Sequence, residues 1–184
     1  MKNLEHETYW NISIRPSQPC IFEVRAERFA FLNVWRTYFI SPMKTCAYVL
    51  VPNKFSAIVC LHGNDIQSEK IVSFITDKLR NKLSGIFSSE QIEAIAQSVT
   101  AERLYTEKDC IYKTFDLHTT PQKYGFSTDY RNYPFSSYKA LANGSPSQID
   151  QKTVWSWFGG KLRFSVFHQA YYGWVKPENM ATAS

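Results

Sequence analysis

Residues 46–61, CAYVLVPNKFSAIVCL, constrain the fold of this chain more than any other stretch. Two apolar runs, Cys46 to Val51 and Phe55 to Leu61, are joined by Pro52-Asn53-Lys54. Val, Ile and Tyr suit a pleated, half-buried surface, and a Pro-Asn pair between such runs is turn chemistry. The expectation is a central β-hairpin. Its second strand places Phe55, Ala57, Val59 and Leu61 on one face and Ser56, Ile58 and Cys60 on the other.

The neighbouring segments supply the rest of a sheet and its helices. Residues 9–15, YWNISIR, alternate as a first strand, and Pro16 and Pro19 close it. Residues 22–40 carry Phe29, Leu32 and Trp35 at helical spacing and end at Ser41-Pro42. A turn is expected at His62-Gly63-Asn64-Asp65, then a helix from Asp65 to Leu83 with Ile71, Val72, Ile75, Leu79 and Leu83 inward. Gly85 ends it. Ser88 and Gln91 form a capping box for a short helix to Gln97, Val99–Tyr105 reads as a strand, and Thr106 opens a helix to about His118, stopped by Pro121. Residues 119–148 read as loop, followed by short aromatic helices at 151–157 and 164–172 around Gly159-Gly160.

This order predicts an α+β fold: a ferredoxin-like antiparallel sheet with helices on one face, plus a C-terminal aromatic helical extension. The expected division is one domain over residues 1–175, with a core of about 9–121 and an extension of 122–175, and a flexible tail over 176–184. Its 184 residues suffice for a substantial core, and 16% aromatic content argues against disorder. Cys20, Cys46, Cys60 and Cys110 form no C-x-x-C pair, so neither zinc nor a disulfide framework is indicated. No secretory or membrane-spanning stretch is apparent, and the expectation is a cytoplasmic protein without membrane contact. The net charge of +5 leans towards an acidic partner. It divides as +3 over residues 1–64, −2 over 65–110 and +4 over 111–184, placing any polyanion surface in the first and last parts.

Several motifs carry a family resemblance. Ala47-Tyr48-Val49-Leu50-Val51-Pro52-Asn53 resembles the A-Y-x-L-M-P-N-H-x-H-L-L hairpin of REP-associated tyrosine transposases, the single-tyrosine branch of the HUH endonucleases. Asp116 to Phe126 resembles their Y-I-H-x-N-P-x-x-x-G-x-V segment, and Asp129 to Tyr138 their D-x-R-x-Y-x-x-S-S-Y segment. Val154-Trp155-Ser156-Trp157-Phe158-Gly159-Gly160 and Phe164-Ser165-Val166-Phe167-His168 follow in the family's order and spacing.

The resemblance implies an HUH transposase-like fold and a DNA partner, single-stranded or folded as a hairpin. In that family a histidine pair helps bind a divalent metal at the scissile phosphate, and a helix-borne tyrosine attacks it. Here the histidine positions fall on Lys54 and Ser56 and the tyrosine position on Asp116, next to Phe115. A protonated Lys has no lone pair to offer a metal. The chain therefore resembles a degenerate, domesticated member with no catalytic residues and no metal site. Tyr112, one helical turn before Asp116, is the fallback nucleophile, although a Tyr on a half-buried helix is ordinarily core. Magnesium or manganese would be required only if that site were active.

The residues expected to touch nucleic acid are Lys54, Lys78, Arg80, Lys82, His118, Lys123, Arg131 and Lys139. Lys54 is either a fixed cation replacing the metal or a solvated turn residue; His118 is either an interface residue or a structural hydrogen-bonder. The functional expectation is a transposase-like protein that binds single-stranded or hairpin DNA without cutting it, with homodimerisation open. The alternatives are a protein-interaction or structural subunit that kept only the fold, and an active strand transferase using Tyr112.

Overall fold

The structure, a computed structural model, describes residues 7–17, 21–63 and 66–174. Cys20, the Asn64-Asp65 half of the expected turn and the segment from Lys176 lie outside them. Strands β1 (Glu7–Ile14), β2 (Lys44–Val51), β3 (Lys54–His62) and β4 (Val99–Leu104) form one sheet in the order β2-β3-β1-β4, every neighbouring pair antiparallel. The hairpin closes on the Val51–Lys54 pair across a two-residue Pro52-Asn53 turn, and Cys46 bulges from β2 between the paired Thr45 and Ala47.

Register sorts the side chains as the alternation requires. Ile12 and Ile14 lie opposite Ala57 and Phe55, while Asn11 and Ser13 lie opposite Ile58 and Ser56. On the first of these faces lie α1 (Arg25–Phe39) and α2 (Ser68–Lys82). α1 buries Phe31, Leu32, Trp35 and Phe39, whose spacing makes a single stripe. The rings of Phe31 and Trp35 stand 5.0 and 4.6 Å from Phe55. α2 buries Ile71, Ile75 and Leu79 and packs on β4. Phe29, expected among the buried residues of α1, is 46% exposed.

The opposite face is also covered, which corrects the expectation of helices on one face only. Every residue of β2 after Lys44, and every residue of β3 between its ends, is buried on whichever side it points. The cover is α4 (Glu107–Lys123) together with the extension. Packed against α2, α3 (Ser89–Gln97) starts at the expected Ser88/Gln91 capping box. α4 starts at a second box, in which Thr106 Oγ1 accepts from Asp109 N–H and the Asp109 carboxylate accepts from Thr106 N–H. Thr106→Ala removes one of these bonds and is expected to cost about 1 kcal/mol, read as a lower urea midpoint at unchanged slope.

α4 does not stop at Pro121 but runs on to Lys123. Proline lacks an N–H and crowds the preceding turn. Here the hydroxyls of Thr119 and Thr120 donate to the carbonyls of Phe115 and Asp116 at 2.9 and 2.8 Å, and the Pro121 carbonyl accepts from Phe126 and Ser127 N–H. Pro121 itself is buried, so packing holds the last turn.

The extension is more ordered than the loop expected over 119–148. It contains a 3-10 turn at Tyr130–Asn132, then α5 (Tyr138–Asn143), α6 (Gln151–Phe158) and α7 (Lys161–Ala170). Gly159, at φ 74°, supplies the left-handed residue that separates α6 from α7. The segment before α5 pairs with the open edge of β2: Leu50 N–H donates to Phe135 O at 2.8 Å and Ser137 N–H to Tyr48 O at 3.0 Å. That edge is thereby closed to other strands.

Candidate nucleic-acid interface

Lys54 opens β3 and shares the α4 side of the sheet with Ser56. On α4, Lys113 and Asp116 are three residues apart and Lys123 lies seven beyond Asp116, so all three share a helix face. The Asp116 carboxylate is 2.8 Å from Lys123 Nζ and 3.9 Å from Lys113 Nζ. Burial pushes the Lys54 ammonium pKa down and the nearby Lys113 pushes it further; Asp116 opposes the fall, and Arg15, beyond the end of β1, adds to it. One carboxylate therefore faces several cations. An anion entering here would oppose that fall in the Lys54 pKa and relieve the repulsion from Lys113, the electrostatic condition for a phosphate site.

A cleft of about 450 Å³ adjoins this cluster between β4 and α4, lined by Glu102, Tyr105, Asp109, Tyr112, Lys113 and Asp116. Asp109 is committed to the helix cap, and its bonds to Thr106 hold its carboxyl below the usual carboxylate range. Glu102 and Arg103 give the β4 wall one charge of each sign. Tyr105 and Tyr112 are 79% and 56% exposed, with Arg103 and Lys108 over their rings at 5.4 and 5.8 Å. Tyr112 thus lines the cleft instead of joining the core.

The structure divides the remaining expected contacts. Lys54 and Lys123 are both brought near Asp116, and Lys113, which pattern reading of the sequence misses, joins them. Its three-residue spacing to Asp116 is the available signal. Lys78, Arg80 and Lys82 sit on α2, in the opposite layer. Arg80 is bound through two bonds to Glu93 at 2.9 and 2.7 Å, and Lys78 and Lys82 lie 4.9 and 4.6 Å over the rings of Phe74 and Tyr38. Arg131 pairs with Asp129 at 2.8 Å and stacks 3.9 Å over Tyr172. Lys139 is exposed on α5.

His118 is not at the surface: it is fully buried, which corrects its assignment as a DNA contact and leaves the hydrogen-bonding reading. His168 Nδ1 lies 2.9 Å from Phe164 O, His118 Nδ1 2.9 Å from His168 Nε2, and His118 Nε2 2.8 Å from Ser137 Oγ. A carbonyl only accepts, so neutral His168 carries its proton on Nδ1 and accepts at Nε2. His118 then donates from Nδ1 and accepts from the Ser137 hydroxyl. Burial pushes both imidazoles down, His168 to about 4, and each stays neutral. This string ties α7 to α4 and to the β2 edge.

The residues at the resemblance's metal positions do not fit a divalent cation. Ser56 is fully buried, and its hydroxyl donates towards β1, its Oγ 3.0 Å from Asn11 Oδ1 and 3.1 Å from Ile12 O. Lys54 adds a positive charge that Lys113 reinforces. Among the described residues no three His, Cys, Asp or Glu side chains converge, and no helix is long and apolar enough to cross a membrane.

No protein-family model matches the chain, and no curated protein matches its sequence. A solved structure of a REP-associated tyrosine transposase bound to a REP hairpin is similar, at 16% identity and a TM-score of 0.46, over 78% of this chain and 84% of that one.

Proposed function

We propose that this chain is a transposase-like DNA-binding protein that holds the backbone of single-stranded or hairpin DNA at Lys54, Lys113 and Lys123 and does not cut it. The observation that carries the reading is the excess of cations around Asp116, with Lys54 half-buried and its pKa depressed beside Lys113. Phosphates are the anions such a row accepts repeatedly along one ligand. The absence of cleavage follows from the donor set: an inward-bonded serine and an ammonium at the metal positions, and an ion-paired aspartate at the tyrosine position. Residues 122–175 are taken as part of the same domain, because Leu141, Val154 and Phe164 belong to the same buried cluster as Trp10 and Phe55.

The test is fluorescence anisotropy with a labelled DNA hairpin and an unstructured single strand. Wild type is expected to bind both, and Lys54→Ala or Lys123→Ala to weaken binding by a similar factor whatever the base sequence. In parallel, incubation with Mg²⁺ or Mn²⁺ is expected to leave the DNA intact. A covalent protein–DNA adduct that disappears in Tyr112→Phe would overturn the non-cleaving part.

One observation favours a second reading. Leu162, Val166 and Tyr171 of α7 and the residue after it are 78%, 55% and 45% exposed, an apolar strip suited to a protein contact or a homodimer. On that reading DNA affinity is absent and the chain is oligomeric by light scattering.

A further inference from the structure

The Pro52-Asn53 turn that leads into Lys54 also fixes a second cluster, at the start of α1. Phe22 N–H donates to Pro52 O at 2.9 Å, and Leu50 N–H to Phe135 O at 2.8 Å, so the hairpin end is flanked by both phenylalanines. Against this frame the Phe29 ring meets Phe135 edge-to-face, centroids 4.9 Å apart, yet Phe29 remains 46% exposed. Two guanidiniums accompany the rings. Arg25 lies 5.5 Å from Phe29 and 6.0 Å from Phe135, and Arg28 lies 4.7 Å from Phe135. Arg28 is positioned from behind: its Nη1 donates to the carbonyls of Phe22 and Glu23 at 2.7 and 3.0 Å, while its Nε is buried without a partner. Glu23 and Glu27 share this segment, but among the described residues neither forms an ion pair with Arg25 or Arg28; both cations face the rings.

With Phe135 on one side and Arg25 over the ring, Phe29 still keeps 46% of its surface open to a ligand. Cations held around it would neutralise the phosphates on either side of a stacked base. Aromatic platforms of this kind hold unpaired bases without reading their identity. We propose that Phe29, with Arg25 and Arg28, is a stacking subsite for an unpaired nucleobase of single-stranded DNA whose backbone continues to Lys54. This rests on the phosphate-site reading of the Lys54 cluster. It adds the chemical class recognised, a base as well as a backbone.

The experiment compares a labelled thymidine oligonucleotide with its counterpart carrying internal abasic sites, by anisotropy, for wild type, Phe29→Leu and Phe29→Tyr. Wild type and Phe29→Tyr are expected to prefer the intact strand by about tenfold. Phe29→Leu is expected to lose that preference while keeping the same salt dependence, since no charge has changed. Photocrosslinking of a 5-iodouracil strand to wild type is expected to place the adduct on Phe29. If wild type binds in a salt-dependent way but Phe29→Leu retains the full preference, the subsite is wrong and the phosphate reading stands. If wild type binds neither strand, the phosphate reading fails and takes the subsite with it.

Discussion

Lowering the pH from about 7 to about 4 is expected to destabilise the fold by about 3 kcal/mol through His168 alone, with His118 adding in the same direction. The folded pKa of His168 is pushed down to about 4 from an ordinary 6.5. Between those values the unfolded chain binds more protons than the folded one. The stabilisation is therefore complete above about 6.5 and is lost as pH falls towards 4. Protonating His168 destroys the string, because His118 Nδ1 and His168 Nε2, 2.9 Å apart, would then both be donors. Asp129, whose carboxyl Arg131 holds low, contributes at the acid end of the range. Urea unfolding at a series of pH values measures the effect, and His168→Gln is expected to flatten it. A midpoint that does not change between neutral pH and pH 4 would contradict the buried neutral pair.

Phe55→Ala is expected to cost about 3–5 kcal/mol. Phe55 is fully buried and joins the sheet to α1 through Phe31 and Trp35, while Trp35 stacks on Phe39 at 4.5 Å. Removing the ring leaves a cavity that the paired strands on either side cannot close. Its chain neighbour Lys54 points to the other face, so DNA affinity of the folded variant should be unchanged. Urea midpoints and anisotropy on the same sample separate the two effects. A destabilisation below about 1 kcal/mol would contradict close packing around this ring.

What the sequence made legible was local. The hairpin, its two faces and the Ser88/Gln91 box follow from residues within a few positions of each other, and all appear in the structure. Pro121 misleads because the burial of the last turn, which holds it in the helix, depends on tertiary context. His118 misleads for the same reason: its partner, His168, is fifty residues away, and nothing near His118 announces it. The basic residues were the least legible part. Arg80 is neutralised by Glu93 from another helix and Arg131 by Asp129 two residues before it, and only the second pairing could be suspected from spacing. Lys113 matters because β3 brings Lys54 to α4, a juxtaposition that no periodicity contains. The exposed Phe29 and Tyr112 likewise sit at helical positions that pattern alone assigns to a core.

Whether the Lys54 cluster holds DNA phosphates is tested most directly by the salt dependence of single-strand affinity. Wild type should show affinity falling linearly on a logarithmic salt axis. The Lys54→Ala/Lys113→Ala variant should bind more weakly, with a slope shallower by about 0.7 for each phosphate no longer neutralised, or about 1.4 in all. Equal slopes for the two proteins, or no binding by wild type at low salt, would contradict a phosphate site at Lys54.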